Sequence, residues 1–242
     1  MKYNVITTEM PIVLPDRRIY GRAFTPEGKE GRLRAVILSH GYNSSHQHLC
    51  DLASALAENG IFAYCYDFCG GSVISRSSGS SLDMSVQSEM GDLRAVISHI
   101  EGLDLVDSEQ LYLYGESQGG FVSSLTADEK IKGLYLLYPA FCIPDDWNGK
   151  TIDGETDFMG MKISNSYCEG LPRYDVFEHI GKYHGPVKIY HGDSDRLVAL
   201  SYAYKAAESF PNAELEVFPG EDHGFAPEAR KKLVEMICAD LA

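Results

Sequence analysis

Residues far apart in the chain have the types needed for acyl chemistry at a serine hydroxyl. Ser117 lies in Gly115-Glu116-Ser117-Gln118-Gly119, directly after the apolar and aromatic run Leu111-Tyr112-Leu113-Tyr114. The run predicts a short buried strand, and the stretch after the turn can become helical. A strand, a cramped turn and a helix would hold the hydroxyl at an exposed apex. Gly115 and Gly119 have no Cβ, so strand and helix can close around it. A free serine hydroxyl hardly ionises near neutral pH. Ser117 therefore needs a base to take its proton and a carboxylate to hold that base in one tautomer. His223, in Gly220-Glu221-Asp222-His223-Gly224-Phe225, supplies the base, and His191-Gly192-Asp193-Ser194-Asp195 supplies the acid. The glycine–serine pattern by itself fits a turn without chemistry equally well. Spacing leaves the acid open between Asp193 and Asp195.

Bringing these positions together requires a sheet whose strand ends meet, and the patterning predicts one. Residues 35–39 are a continuous apolar strand, as in a parallel sheet covered on both faces, and end in His40-Gly41-Tyr42-Asn43. Ser44 or Ser45 can cap a helix over 46–59, with Gly60 as its stop. Residues 61–67 are the next strand, followed by a Gly- and Ser-rich loop over 70–81. Val86, Met90, Leu93, Ile97 and Ile100 recur at helical spacing. Further strands are predicted at 133–138, 187–192 and 215–218, and helices at 199–209 and from Pro227 onward. Near the start, 5–8 and 18–24 predict an antiparallel hairpin at a sheet edge. The stretch 140–185 has no clear period and predicts a lid or binding segment. Strands alternating with helices imply a mostly parallel sheet, with ligands at the carboxyl ends of its strands.

The 242 residues, 44% of them hydrophobic, suffice for one large core, and no repeat or linker divides them. A formal net charge of −14 argues against a nucleic-acid partner, whose phosphates need Lys and Arg. The start has no signal-like apolar run, and no run is long enough to span a membrane. The six cysteines form no CxxC pair and read as reduced thiols of a cytoplasmic protein. His46 and His48 have a spacing that hints at metal. No further ligand cluster accompanies them, so they read as a polar helix start. His99, His179 and His184 read as surface residues and His191 as structural.

Over nearly its full length the chain resembles the α/β-hydrolase superfamily. The resemblance rests on Ser39-His40-Gly41, Gly115-x-Ser117-x-Gly119, His191-Gly192-x-x-Asp195-x-x-Val198 and Asp222-His223-Gly224-Phe225. It implies an α/β fold with a mostly parallel central sheet flanked by helices. Residues 1–242 would form one domain, with a short cap inserted after the sixth strand at about 140–185. It also implies Asp195 as the acid, with Asp193 bonding within its own loop, and a shaping role for His40. The backbone N–H groups of Tyr42 and Gln118 would form the oxyanion hole. Since a backbone donor survives side-chain truncation, Gln118→Ala is expected to be mild.

Within the superfamily the chain is most similar to the cinnamoyl (feruloyl) esterase group, through Gly115-Glu-Ser-Gln-Gly-Gly120, Ile143-Pro144-Asp145-Asp146 and Leu171-Pro172-Arg173-Tyr174-Asp175-Val176. In that group an aspartate and a tyrosine of the insert bind the phenolic end of the substrate; the matching positions are Asp145 and Tyr174. The histidine that usually precedes the nucleophile there is Glu116 here. Phe141, Trp147, Phe158, Tyr167 and Tyr174 offer ring surface for an aromatic acyl group. The expected activity is that of a serine carboxylesterase on small acyl or hydroxycinnamoyl esters, working through an acyl-enzyme without cofactor or metal. A serine peptidase or amidase of the same fold is the alternative, and a ligand-binding module without catalysis the third reading. The expected partner is a small-molecule ester, with neither nucleic acid nor membrane; a homodimer is left open.

Overall fold

Short apolar runs become strands here because helices cover both of their faces. The computed structural model describes residues 2–241. In chain order its elements are β1 (Val5–Glu9), β2 (Ile12–Val13), β3 (Arg18–Ile19), β4 (Gly21–Pro26), β5 (Leu33–Ser39), a 3₁₀ turn (His46–Leu49), α1 (Cys50–Glu58), β6 (Phe62–Tyr66), α2 (Val86–Glu101), β7 (Val106–Glu116) and α3 (Gln118–Thr126). There follow β8 (Gly133–Leu137), α4 (Ile143–Trp147), β9 (Glu155–Phe158), β10 (Met161–Ser164), α5 (Asn165–Glu169), α6 (Val176–Ile180), β11 (Val187–Gly192), α7 (Leu200–Ser209), β12 (Ala213–Phe218) and α8 (Pro227–Asp240). The main sheet has the order β1-β4-β6-β5-β7-β8-β11-β12. It is parallel from β6 to β12 and antiparallel at its β1–β4–β6 edge. This is the α/β-hydrolase architecture that the motifs implied.

Strand β5 shows why the pattern reads as continuous. Ala35 and Ile37 face a core built with α2, α3, α6 and α7, while Val36 and Leu38 face a second core built with α1 and α8. Successive side chains point to opposite faces, and here both faces are dry. Helix α2 starts on a capping box in which Ser85 and Ser88 each satisfy the other's backbone N–H.

Two stretches of the fold are not given by the sequence pattern. The predicted strand over 18–24 is broken at Tyr20. Arg18 and Ile19 pair with β2, whereas β4 pairs with β1 in the register Val5↔Pro26. Tyr20 is fully buried and bonds Glu9 through its hydroxyl at 2.8 Å, which fixes the break. The stretch without period, between β8 and β11, contains short helices and the antiparallel β9–β10 hairpin. Elements of four or five residues are too short to display a period. Met161, Ile163 and Tyr167 of this insert form a small core with Met84, against which Tyr42, Trp147 and Phe158 pack. Among the described residues, no helix is long and apolar enough to cross a membrane.

The crossing of α3 over β5 leaves no room for a side chain. A Cβ at Gly119 would lie 2.3 Å from the His40 carbonyl oxygen and 2.5 Å from that of Ser39. Backbone at both sides cannot yield as a flexible side chain would. Gly119→Ala should therefore cost about 3 kcal/mol or more, read as a large drop in the urea midpoint. Gly102→Ala, whose Cβ would meet nothing closer than 3.5 Å, should leave that midpoint nearly unchanged.

Candidate active site

Ser117 joins β7 to α3 at φ 52°, ψ −119°. A non-glycine residue rarely holds a positive φ, and three backbone bonds hold this one. Its N–H donates to Leu137 at 2.9 Å, and its carbonyl accepts from Phe121 and Ala140, each at 3.0 Å. Gly41 passes so close that a Cβ there would lie 3.2 Å from Ser117 Cβ. The strand end of β5 and the serine apex therefore form one packed unit.

His223 Nε2 lies 3.0 Å from Ser117 Oγ, and its Nδ1 lies 2.8 Å from Asp195 Oδ2. A carboxylate only accepts, so Nδ1 carries the proton and Nε2 turns its lone pair toward the serine hydroxyl. The Asp195 side chain is 0% exposed. Its other oxygen accepts from the N–H groups of Leu197 and Val198 at 2.9 and 2.8 Å. Burial pushes the Asp195 carboxyl up, but the His223 bond and these amides outweigh it, and the pKa falls below the usual value. His191 is fully buried, with Nε2 2.9 Å from the Val198 carbonyl and 3.4 Å from Asp195 Oδ2. Burial holds its pKa below the ordinary imidazole value.

Neighbouring residues tie the two loops together. Asp193 accepts from the Gly220 N–H at 2.7 Å, so it reaches across to the histidine loop as well as bonding Ser194 in its own. Asp222 accepts from the Arg196 and His223 N–H groups at 2.9 and 2.8 Å and pairs with the Arg196 guanidinium.

His40 shapes the loop after β5. Its Nε2 accepts from the Phe68 N–H at 3.1 Å, so Nδ1 carries the proton and donates to the Gly41 carbonyl at 2.7 Å. A trans peptide directs its N–H opposite to its C=O. Holding the Gly41 carbonyl therefore turns the Tyr42 N–H away from His40. Gln118 is the first residue of α3, where the N–H has no intrahelical partner. Tyr42, Gln118, Ser117 and His223 all border one cavity of about 240 Å³. Its far wall is apolar and aromatic, formed by Ile143, Trp147, Phe158 and Tyr167.

Asp145 and Tyr174 do not border this cavity. Asp145 accepts from Tyr202 of α7 at 2.8 Å, and Tyr174 is 47% exposed and packs on His179 at 4.9 Å. Successive residues of a helix point about 100° apart, so in α4 it is Asp146 that borders the cavity, beside Trp147. His46 and His48 also diverge. His46 is buried on Asp67 at 2.8 Å rather than lying at a polar helix start, and exposed His48 meets Glu116 at 3.2 Å. His179 is half-buried and bonds the Leu125 carbonyl at 3.1 Å.

Sequence reasoning missed two buried carboxyls beside the serine. Glu116 accepts from Tyr114 at 2.7 Å, Tyr138 at 3.3 Å and Arg230 at 2.6 Å. Burial raises its pKa, but His48, Arg230 and Tyr114 more than reverse this and bring it to about 2. Tyr138 in turn packs its ring 4.3 Å from that of His223. Glu89 accepts from Gln118 Nε2 at 2.8 Å, and Gln118 Oε1 accepts from the Tyr167 hydroxyl at 2.7 Å. Burial, with Asp92 nearby and only the Gln118 bond opposing, pushes Glu89 up to about 8. The one signal in the sequence was an acid inside an apolar pattern; the partners lie far along the chain.

Comparison with known proteins agrees with this architecture. Residues 32–170, more than half of the chain, match the family described as "Serine aminopeptidase, S33". The chain is 30% identical over 117 residues to "Putative carbamate hydrolase RutD" of Caulobacter sp. (strain K31), which covers 44% of each protein. It is 40% identical over 85 residues to "Non-heme chloroperoxidase CPO-A1" of Kitasatospora aureofaciens, 32% of this chain and 31% of that one. The matched part spans less than half the length of either relative. Among solved structures, Est1E from Butyrivibrio proteoclasticus with ferulic acid bound superposes with a TM-score of 0.86 at 24% identity, covering 96% of this chain and 98% of that one. At that identity the likeness is one of fold.

Two expectations follow from the buried network. Gln118→Ala strands the Glu89 carboxyl and the Tyr167 hydroxyl. It should destabilise the protein by about 1–3 kcal/mol, measured by urea unfolding. Glu89 also sets a pH dependence. Unfolded, it loses its proton near 4.5; folded, it keeps it to about 8. Stability is thus fully present below the lower value and is lost as pH rises toward the upper one. Glu89→Gln stays uncharged, so its melting temperature should exceed that of the wild type by a margin that grows between these values and then levels. A margin independent of pH would mean that Glu89 is ionised in the fold.

Proposed function

From the premise that this chain belongs to the serine aminopeptidase S33 family and has the α/β-hydrolase fold, we propose that it is a serine carboxylesterase acting on small acyl or hydroxycinnamoyl esters. The observation that carries this reading is the unbroken hydrogen-bond series from Ser117 through His223 to Asp195, opening on an aromatic-walled cavity. Ser117 Oγ attacks the ester carbonyl carbon while His223 Nε2 takes its proton. Asp195 keeps the proton on Nδ1 and stabilises the imidazolium that forms. The carbonyl oxygen becomes an anion facing the Tyr42 and Gln118 amides. Loss of one such donor typically costs about 2.7–4 kcal/mol of transition-state stabilisation. As the tetrahedral intermediate collapses, the bond to the alcohol breaks, and the leaving oxygen receives the proton from His223. Water then repeats the sequence on the acyl-enzyme and releases the acid.

The substrate class rests on the rings of Tyr42, Trp147, Phe158 and Tyr167 around the cavity. Apolar walls with a few placed polar groups suit a small aromatic acyl group. Est1E, which shares the fold, binds ferulic acid. The description of the matched family favours a second reading, hydrolysis of small peptides or amides by the same residues.

A fluorophosphonate should label the wild type at Ser117 and leave Ser117→Ala unlabelled. Turnover of a 4-nitrophenyl ester should fall about 10⁴-fold or more in Ser117→Ala and His223→Ala. Equal turnover in wild type and both variants would remove these residues from the chemistry. Methyl ferulate set against an aminoacyl 4-nitroanilide separates ester from amide; preference for the anilide would favour the peptidase.

A further inference from the structure

The insert between β8 and β11 bonds the side chains of Tyr42 and Gln118, the two residues proposed above for the oxyanion hole. The Tyr42 hydroxyl donates to the carbonyl of Phe158, at the end of β9, at 3.0 Å. The hydroxyl of Tyr167, in α5, donates to Gln118 Oε1 at 2.7 Å. We propose that the insert is a positioning element of the oxyanion hole, with Tyr167 and the Phe158 carbonyl holding Gln118 and Tyr42 so that their backbone N–H groups converge on the reacting oxygen. This rests on the reading of Ser117 as nucleophile given above.

Each amide is constrained at both ends. The peptide before Tyr42 is held through the Gly41 carbonyl by His40 at 2.7 Å, and the side chain beyond it is held by Phe158. Their rings also meet edge to face at 5.1 Å. The next residue, Asn43, has φ 49° and donates its side-chain amide to the Met159 carbonyl at 3.1 Å. Met159 itself has φ 48°, so two bulky or polar residues in left-handed backbone face each other across this contact. Gln118 follows a strained Ser117, and its side chain is gripped between Tyr167 and Glu89, at 2.7 and 2.8 Å. Rotating the Ser117–Gln118 peptide would swing that side chain out of both bonds. Gln118 is 2% exposed and Tyr167 1%, so no solvent replaces a bond that is lost. Donors held in advance at the place where charge develops need no reorganisation during reaction, and small misplacements are costly. An insert that only covered substrate would have no need to bond these two residues.

Tyr167→Phe deletes one hydroxyl and keeps the ring that borders the cavity. With 4-nitrophenyl butyrate, kcat should fall about tenfold while KM stays within about twofold. Inhibition by butylboronic acid, whose adduct with Ser117 is tetrahedral, should weaken by the same factor as kcat. Tyr42→Phe, which deletes the other tether and keeps both backbone donors, should give the same pattern and serves if Tyr167→Phe fails to fold. Unchanged kcat and boronate affinity in a folded variant would overturn the proposal. So would a raised KM with boronate affinity unchanged, which marks a substrate contact only. Wild-type turnover that persists in Ser117→Ala would instead overturn the nucleophile reading underneath, and the two failures are told apart by that control.

Discussion

The structure depends on an approach between backbones that excludes every side chain but hydrogen. Gly115, Gly119 and Gly41 sit where β7, α3 and the end of β5 converge, and a Cβ at Gly115 would lie 2.4 Å from the Gly119 carbonyl. That closeness forces Ser117 into its positive φ, since the chain must leave the strand and enter the helix within a single residue. It also sets the end of β5, and hence the His40–Tyr42 loop, against the serine. The loops after β11 and β12 then need only reach a serine already fixed in space. Hydrogen bonds from the Gly220 N–H to Asp193 and from the Arg196 N–H to Asp222 join these loops to each other.

Two carboxyls buried beside the serine are held in opposite states, and the difference is one of partners. Glu116 faces Arg230, His48 and two tyrosine hydroxyls, so its charge is compensated and retained. Glu89 faces a neutral amide and has Asp92 nearby, so its proton is retained instead. Burial acts on both alike; the nearby cations decide. An ionised Glu116 anchors α8 through Arg230 and backs the tyrosine that packs on His223. A neutral Glu89 links α2 to α3, and through Gln118 to the insert. The turn at Ser117 is thereby supported on one side by an ion pair and on the other by uncharged hydrogen bonds.

The insert follows different rules from the sheet that carries it. The central strands of the sheet owe their form to apolar runs buried on both faces, whereas the insert is made of segments of four or five residues, some in a small core of their own and others, such as α6, packed on the main core. Its aromatic residues serve two purposes at once. Trp147 and Phe158 wall the cavity and also pack on each other at 5.1 Å. Shape in this region is therefore set by ring-to-ring packing and by bonds to the loop after β5, with little contribution from helix or strand propensity.

What the chain determined by itself were features written in local composition. The alternation of apolar strands with amphipathic helices and the glycines around Ser117 follow from residues close in sequence, and the sheet and its strand ends match them; the choice of Asp195 over Asp193 comes from the family pattern, since spacing leaves both open. The divided strand at Tyr20, the destinations of Asp145, Tyr174, His46 and Glu116, and the form of the insert followed only from tertiary structure. Most turn on a partner in another element. Tyr20 is fixed by Glu9, Asp145 faces α7 instead of the cavity because of its phase on a one-turn helix, and Glu116 stays charged because Arg230 arrives from α8. Periodicity reports which face of an element is dry, but it carries no information about which distant side chain meets that face, and in this protein that meeting decides charge, orientation and access at the serine.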